Sequence, residues 1–371
     1  MSKKPIIFSF FAGSGFLDLG FEKSCFDVRF VNEFYKPFQE AYKFSRAQMG
    51  IDEPLYGYHQ GSIEEFLFDS EVASQQLISN IKAAKKDGLV GFIGGPPCPD
   101  FSEGGKNRGR EGDNGRLTEA FVKVLIKHNP DFFLIENVKG LWKTAKHRVF
   151  YQEMKGLLED ANYILCDRLT NSIEFGVPQT RDRIFLFGIR KNLLNKKEIN
   201  FPWERYIKFD RKIINQKSMW PSTTPYGENS ILDRPWLVTD EFAELTIEHW
   251  FIKNNVEFHP NAKHHFTPRQ ALIRFQTIEE GDVRGKSFKR LHRWRYSPTA
   301  AYGNNEVHLH PYKSRRLSAA EALAIQSLPK EFILPPYMKL SDMFKTIGNG
   351  VPFLLSEAIA KSIYDFLKEA T

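Results

Sequence analysis

The chain reads as an α/β protein: a doubly wound, mainly parallel sheet of Rossmann-like type, with helices on both faces and a second, smaller, irregular domain. Three observations predict this. The first half alternates short apolar, β-branched or aromatic runs with helical patterns, the signature of βαβ units. The first run ends in a glycine-bearing turn, Phe11-Ala12-Gly13-Ser14-Gly15-Phe16, placed where doubly wound sheets receive nucleotide-like ligands. After about residue 190 the alternation stops, and the stretch to about residue 310 is rich in Pro and Asn and holds five of the six tryptophans.

Six strands are expected: Ile6 to Phe11, Val28 to Phe34, Leu89 to Gly95, Asp131 to Asn137, Tyr163 to Thr170 and Arg183 to Arg190. Between the third and fourth, Leu117, Ala120, Phe121, Val124 and Leu125 fall on one stripe, which predicts an amphipathic helix over Arg116 to His128. Helical periodicity returns over Ser318 to Leu328 and Phe353 to Leu367, so the chain end is expected to pack back on the first lobe. The layout is therefore 1–190, 191–310, and a returning segment 311–371. A chain of 371 residues is in any case long for one mean-sized domain.

The 52 Lys and Arg outweigh the 45 Asp and Glu to give +7, a balance compatible with a polyanionic partner. Cys25, Cys98 and Cys166 are widely spaced, forming neither a disulfide framework nor a CxxC metal pattern, so their chemistry is expected to be thiol chemistry in a reducing cytoplasm. No signal-peptide core or membrane-length apolar run is seen. His259, His264 and His265 lack the spaced partners of a zinc site, so no metal is expected.

Glu33 closes the second strand 20 residues after Gly13, where an acid binds ribose hydroxyls. A dinucleotide fingerprint would need a third glycine where Asp18 stands. An acid at the helix N-terminus would repel a pyrophosphate, so the turn suits S-adenosylmethionine, which carries ribose and adenine without phosphate, better than NAD.

The third strand runs into Gly94-Gly95-Pro96-Pro97-Cys98-Pro99-Asp100-Phe101-Ser102, which puts a thiol just past the carboxyl end of a buried strand. The fourth ends in Glu136-Asn137-Val138, so a carboxyl should sit beside it at the same sheet edge. Such a pair fits methylation at carbon 5 of cytosine. A thiolate added to C6 makes the C5 position nucleophilic, and a carboxylic acid kept neutral by burial can serve N3. Arg181 and Arg183, at alternate positions of an extended segment, point the same way and could hold the base O2 and a phosphate. Each has a plain structural reading as well: an inert buried cysteine, an acid capping a turn, arginines in surface salt bridges.

Taken in order and spacing, these residues resemble the cytosine-C5 DNA methyltransferases of restriction-modification type. The resemblance rests on Phe11 to Gly15, Glu33, Gly94 to Ser102, Asp113-Asn114-Gly115-Arg116-Leu117, Glu136-Asn137-Val138, Gln179 to Arg183, Arg316-Leu317-Ser318 with Glu321, and Gly348-Asn349-Gly350-Val351-Pro352. It implies Cys98 as nucleophile, Glu136 as the acid at N3, and Arg181 and Arg183 as holders of the flipped base. It implies an S-adenosylmethionine site, left as S-adenosylhomocysteine, lined by Phe11, Gly13, Gly15, Glu33, Phe34, Ser62, Ile63, Pro96, Leu117, Asn349 and Val351, with Phe34 and Ile63 sandwiching adenine. Ser102, Asn137 and Gln179 would meet the substrate, and the glycine-rich Ser102 to Asn114 would close over DNA.

The middle region would read the target. Its basic and aromatic run from Arg284 to Tyr296 suits phosphate and base contacts, with Arg293 and Arg295 the named candidates and a solvated charged face the alternative. The partner implied is double-stranded DNA bound by a monomer, with any cognate restriction endonuclease acting separately, in a bacterial or phage-encoded system. Three departures stand out. Phe16 replaces a usual glycine and would narrow the methionine end of the pocket; Pro99 replaces a usual Gln; and Ser62 stands where an acid commonly meets the adenine amino group. The rival readings are the same chemistry on tRNA, a nicotinamide-dependent oxidoreductase, and a DNA-binding module without catalysis.

Overall fold

Seven strands of the computed structural model form one sheet: β1 (Ile6–Phe10), β2 (Asp27–Asn32), β3 (Tyr58–His59), β4 (Val90–Gly94), β5 (Phe132–Val138), β6 (Tyr163–Asn171) and β7 (Asp182–Arg190). Their order is β3-β2-β1-β4-β5-β7-β6. The first five pair with one another in parallel, while β7 runs antiparallel to both β5 and β6. The structure describes residues 4–97, 113–194, 199–268, 273–285, 287–299, 302 and 307–370, with the side chains of 113 and 114 excepted.

Helices cover both faces, which is why β1 and β4 are buried at every position and read as unbroken apolar runs. On one face Ile6, Phe8 and Phe10 pack under α3 (Val72–Asp87), α4 (Asp113–His128) and α6 (Ala145–Asp160), with the short α5 (Lys139–Lys143) between. On the other, Ile7 and the alternate residues of β5 and β7 meet α1 (Phe16–Glu22), α2 (Lys36–Gln48) and α13 (Phe353–Ala370). The period of two along each strand sorts side chains to the two faces. Helices α1 and α13 approach closely because Gly20 has no Cβ: one would lie 2.2 Å from Ser356 Oγ.

The region after β7 carries the short helices α7 (Arg211–Ile214), α8 (Asp240–Ala243), α9 (Ile247–Lys253) and α10 (Arg274–Thr277) and a parallel pair, β8 (Phe288–Arg290) with β9 (Val307–Leu309). Helices α11 (Ala319–Ile325) and α12 (Leu340–Asn349) follow. The composition change at residue 190 is not a break in packing. Phe201 and Trp203 join the core over the sheet, with Phe187 and Phe201 ring centres 4.6 Å apart. Ile247, Trp250 and Phe251 share a cluster with Phe16, Leu19 and Phe38 of the first lobe.

No helix among the described residues is long and apolar enough to cross a membrane.

Candidate active site

The chain order reverses between β1 and β4, and the crevice at their carboxyl ends is where open α/β sheets bind ligands. The turn after β1 enters it with left-handed backbone at Phe11 (φ 52°), Gly13 (φ 58°) and Gly15 (φ 79°). Gly15 needs its missing side chain twice over, since a Cβ would stand 2.5 Å from the Tyr42 ring and 2.7 Å from Arg46. The carboxylate of Glu33 holds the turn from the front, accepting the Gly13 N–H at 2.8 Å on one oxygen and the Tyr35 N–H at 2.7 Å on the other. Burial raises its pKa, and those backbone donors work against the rise. Each oxygen keeps a second lone pair for a ribose hydroxyl.

Phe34, beside it, is 70% exposed and offers a ring face. Ile63 is 2% exposed and packed with Phe10, Phe30 and Phe66, so the adenine sandwich expected of this pair has one face already spent on the core. Ser62 caps the 3₁₀ turn Ile63–Phe66: its Oγ accepts the Glu64 N–H, and its own N–H donates to Glu65. Leu117 lies half-buried against the core, tied near that turn by an Arg116–Glu64 pair at 3.4 Å. Asn349 ends α12 exposed, with Val351 buried beneath. Helix α12 meets the turn through Thr346 Oγ1, which donates to Ser14 Oγ at 2.7 Å, and through Tyr35 OH, which donates to Asp342 at 3.1 Å.

Two readings of this turn need correction. Phe16 does not narrow the pocket. Its ring turns into the core, edge-on to Phe332 at 5.0 Å, and fills the space beside Gly350, where a Cβ would lie 2.1 Å from it. Asp18 does not face the amides of the turn either. It is fully buried, accepts the Ser9 hydroxyl at 2.9 Å, and is pushed from its ordinary 3.8 to about 7 by burial and then by Glu22.

At the chemical centre, Gly95 leads the chain past β4 directly across Glu136: a Cβ on it would sit 2.8 Å from Glu136 Oε2. Pro96 is buried and Pro97 exposed. Cys98, Pro99, Ser102 and the other residues from 98 to 112 lie outside the described residues. Glu136 itself is 8% exposed, and its Oε1 lies 2.8 Å from Arg183 Nε. Burial raises the pKa of this carboxyl while Arg183 and Arg181 oppose the rise, and the balance stays upward. Arg181 is buried at 1% exposure and donates through Nη2 to the Gly348 carbonyl at 2.7 Å. Burial and the neighbouring Arg183 push its pKa well down. The strand geometry thus brings Glu136, Arg181 and Arg183 together. Between the arginines, Asp182 takes Lys139 at 2.8 Å and Arg211 at 3.1 Å.

Asn137 is buried, its Oδ1 accepting the Val138 N–H at 2.7 Å. Gln179 is fully buried and reaches Gln326 at 3.5 Å. Around it the chain forms backbone bonds with the middle region, Thr180 N–H to Ser297 O at 2.9 Å and Ser297 N–H to Pro178 O at 2.8 Å.

The basic run of the middle region is interior only in its centre: Arg284 is exposed and Lys289 half-buried, while Arg290 to Arg293 are buried. Arg293, 3% exposed, forks onto both oxygens of Glu280 at 2.9 and 2.8 Å and donates to Ser230. It is therefore a pillar of the lobe and not a free ligand for phosphate. Arg290 is fully buried and gives its donors to the carbonyls of Phe275, Ile278 and His310. Arg295 is half-buried and keeps its guanidinium unpaired among the described residues.

Sequence reasoning missed Arg46, Lys139 and Arg211. Arg46 had a signal: it stands one turn after Tyr42 on the apolar stripe of α2, a place for a charge only if it is paired.

The family model for C-5 cytosine-specific DNA methylases matches residues 6–365. The chain is 53% identical over 367 residues to the type II methyltransferase M.NmeDI of Neisseria meningitidis serogroup C, covering 99% of this chain and 85% of that one. It is 28% identical over 369 residues to M.FnuDI of Fusobacterium nucleatum, covering 98% and 95%. Among solved structures, a DNA modification methyltransferase encoded within an E. coli prophage matches with a TM-score of 0.63 at 20% identity, over 98% of this chain and 99% of that one. The S. pombe Dnmt2 methyltransferase matches at 0.62 with 12% identity over 99% of each. At these identities the structural likeness is one of fold. The family match across nearly the whole chain makes this protein a member of the C-5 cytosine-specific DNA methylases, a DNA cytosine-5 methyltransferase.

Proposed function

We propose that the enzyme moves a methyl group from S-adenosylmethionine to carbon 5 of a cytosine turned out of a specific double-stranded DNA sequence, through a covalent bond between Cys98 Sγ and cytosine C6. The observation that carries this is the backing of Gly95 onto Glu136: three residues before Cys98, the chain runs across a buried carboxyl that is itself paired with Arg183.

The residues at the end of β1 fit an adenosine better than a dinucleotide. Phe34 presents an open ring, and each Glu33 oxygen has a lone pair to spare for a ribose hydroxyl. The cofactor supplies an electrophilic methyl on sulfur. On the protein's side, the thiolate adds to C6 while Glu136, held neutral by burial, gives its proton to N3. Arg181 and Arg183 hold O2 and an adjoining phosphate. C5 takes the methyl group, leaving S-adenosylhomocysteine, then gives up its hydrogen as a proton to solvent water; the C6–S bond breaks to restore the thiolate as the N3 proton returns to Glu136. Nucleophilic addition splits one hard step into easier ones.

As a type II restriction-modification methyltransferase, the protein would work as a monomer on chromosomal DNA in the bacterial cytoplasm, beside a separate endonuclease. Incubation with tritiated cofactor and either genomic DNA or tRNA tests the reading. Label should enter DNA, fall to background in Cys98→Ser, and map by bisulfite sequencing to one short site. Label in tRNA alone would overturn the substrate, and unchanged transfer by Cys98→Ser would overturn the nucleophile.

A further inference from the structure

Behind the glycine turn lies a buried polar cluster to which methyl transfer assigns no task. Helix α1 carries Asp18 and Glu22 one turn apart on one face, and α2 sets Tyr42 and Arg46, also one turn apart, against them. Arg46 is 2% exposed. Its Nε lies 2.8 Å from Glu22 Oε2, its Nη2 donates to the Gly15 carbonyl at 2.6 Å, and its guanidinium stacks over the Tyr42 ring with a centroid distance of 4.3 Å. Tyr42 OH donates to the other oxygen of Glu22 at 3.1 Å.

The Gly15 carbonyl is the end of α1 that faces the turn, and it already accepts the Leu19 N–H at 3.0 Å. The helix is complete without Arg46. The extra donor comes from a guanidinium whose burial is costly unless its partners are well placed, and one of those partners is the backbone of the cofactor turn. That backbone is otherwise loose by nature, because glycine at 13 and 15 has access to far more conformations than other residues. Glu33 restrains the turn at the Gly13 N–H and Thr346 restrains it at Ser14; the Gly15 carbonyl is the remaining corner.

We propose that Arg46 is a positioning residue for the cofactor: its planar fork, oriented by Glu22, holds the Gly15 carbonyl so that the turn is already shaped when S-adenosylmethionine arrives. The inference rests on the cofactor reading above. A turn released from this hold visits the competent shape for only a fraction of the time, and apparent affinity falls by that fraction. The loss therefore belongs in cofactor binding and not in the chemical step. Lysine would keep the charge yet reach only one of the two partners, since it lacks the fork.

The test uses the full chain, with S-adenosylhomocysteine as calorimetric probe and initial rates on DNA. In Arg46→Met the Kd and the cofactor KM should rise about tenfold, and in Arg46→Lys by less, while kcat at saturating cofactor and the KM for DNA stay within about twofold. Melting temperature is recorded alongside. A purely structural role would lower it and the active fraction but leave the Kd of the folded enzyme at the wild-type value, and that result overturns the proposal. Should Arg46→Met fail to fold, Glu22→Gln decides: it leaves the cluster neutral in shape but weakens the orienting bond, and an unchanged Kd there is equally fatal. Failure of the wild-type chain to bind S-adenosylhomocysteine would instead overturn the cofactor assignment itself.

Discussion

Glu136 shows what one buried residue can be asked to do. Burial makes its carboxyl slow to ionise, while Arg183 at 2.8 Å and Arg181 keep it in place. Replacement by Gln preserves shape and removes the transferable proton, so single-turnover methyl transfer should fall roughly 10²- to 10⁴-fold with little change in cofactor affinity; a rate within a factor of a few of wild type would remove Glu136 from the chemistry. Its raised pKa also fixes a sign. Activity depends on the protonated form, so the rate declines as pH rises past that pKa, and the Gln variant should lack this limb. Asp18 gives a second, independent pH effect. Its pKa goes from 3.8 unfolded to about 7 folded. The stability it contributes is therefore present below pH 3.8 and is lost as pH climbs to about 7. From pH 5 to pH 8 that loss is of the order of 3 kcal/mol. Asp18→Asn keeps a partner for Ser9 and should flatten the change, seen as a wild-type-minus-variant difference in urea unfolding free energy that falls between those two pH values. A constant difference would mean that Asp18 does not titrate in this range.

At the scale of elements, strands were legible and their directions were not. Runs such as Ile6 to Phe10 are buried on both faces, so apolar continuity alone reveals them. Nothing in that pattern tells a parallel strand from the reversed β7, and β3, two residues long, is too short to carry a period. The site residues were legible where a motif sits at a strand end, as with Glu33 and Glu136. They were misread where size or charge was taken for exposure: Phe16 and Asp18 point inward, and Arg290 and Arg293 are core. An arginine reads the same in sequence whether it meets phosphate or a buried carboxylate. The difference is measurable in the middle region. Glu280→Ala strands the Arg293 fork without its partner and should cost about 3–5 kcal/mol of stability, visible as a large fall in melting temperature. Arg295→Ala should leave melting unchanged, weaken DNA binding, and lower the salt slope by about one. If Arg295→Ala melts early and binds normally, the two arginines have been assigned the wrong way round.

Across the whole molecule, the site is closed by residues far apart in the chain. Arg181 reaches the Gly348 carbonyl across 167 positions, and that carbonyl is held there because α12 and α13 return to the sheet. Helix α13 buries Leu355, Ile359, Ile363, Phe366 and Leu367 against β-strand residues and α1, and Gly20 lets it come close enough for Ser356 Oγ to donate to the Leu17 carbonyl at 2.5 Å. Each large aliphatic or aromatic side chain withdrawn from water is worth about 1.5–3 kcal/mol. Five of them therefore weigh as much as the whole net stability of an ordinary domain, about 5–15 kcal/mol. A chain ended after Pro352 keeps every expected cofactor contact, Glu33, Phe34, Asn349 and Val351 among them, and yet should lose cofactor binding, because α1 and its glycine turn no longer have a surface to lie on. Circular dichroism and S-adenosylhomocysteine titration of the shortened chain check this. Native melting with wild-type affinity would show that the first lobe stands without its returning helix, and that Glu33, Arg46 and Thr346 suffice to hold the cofactor turn.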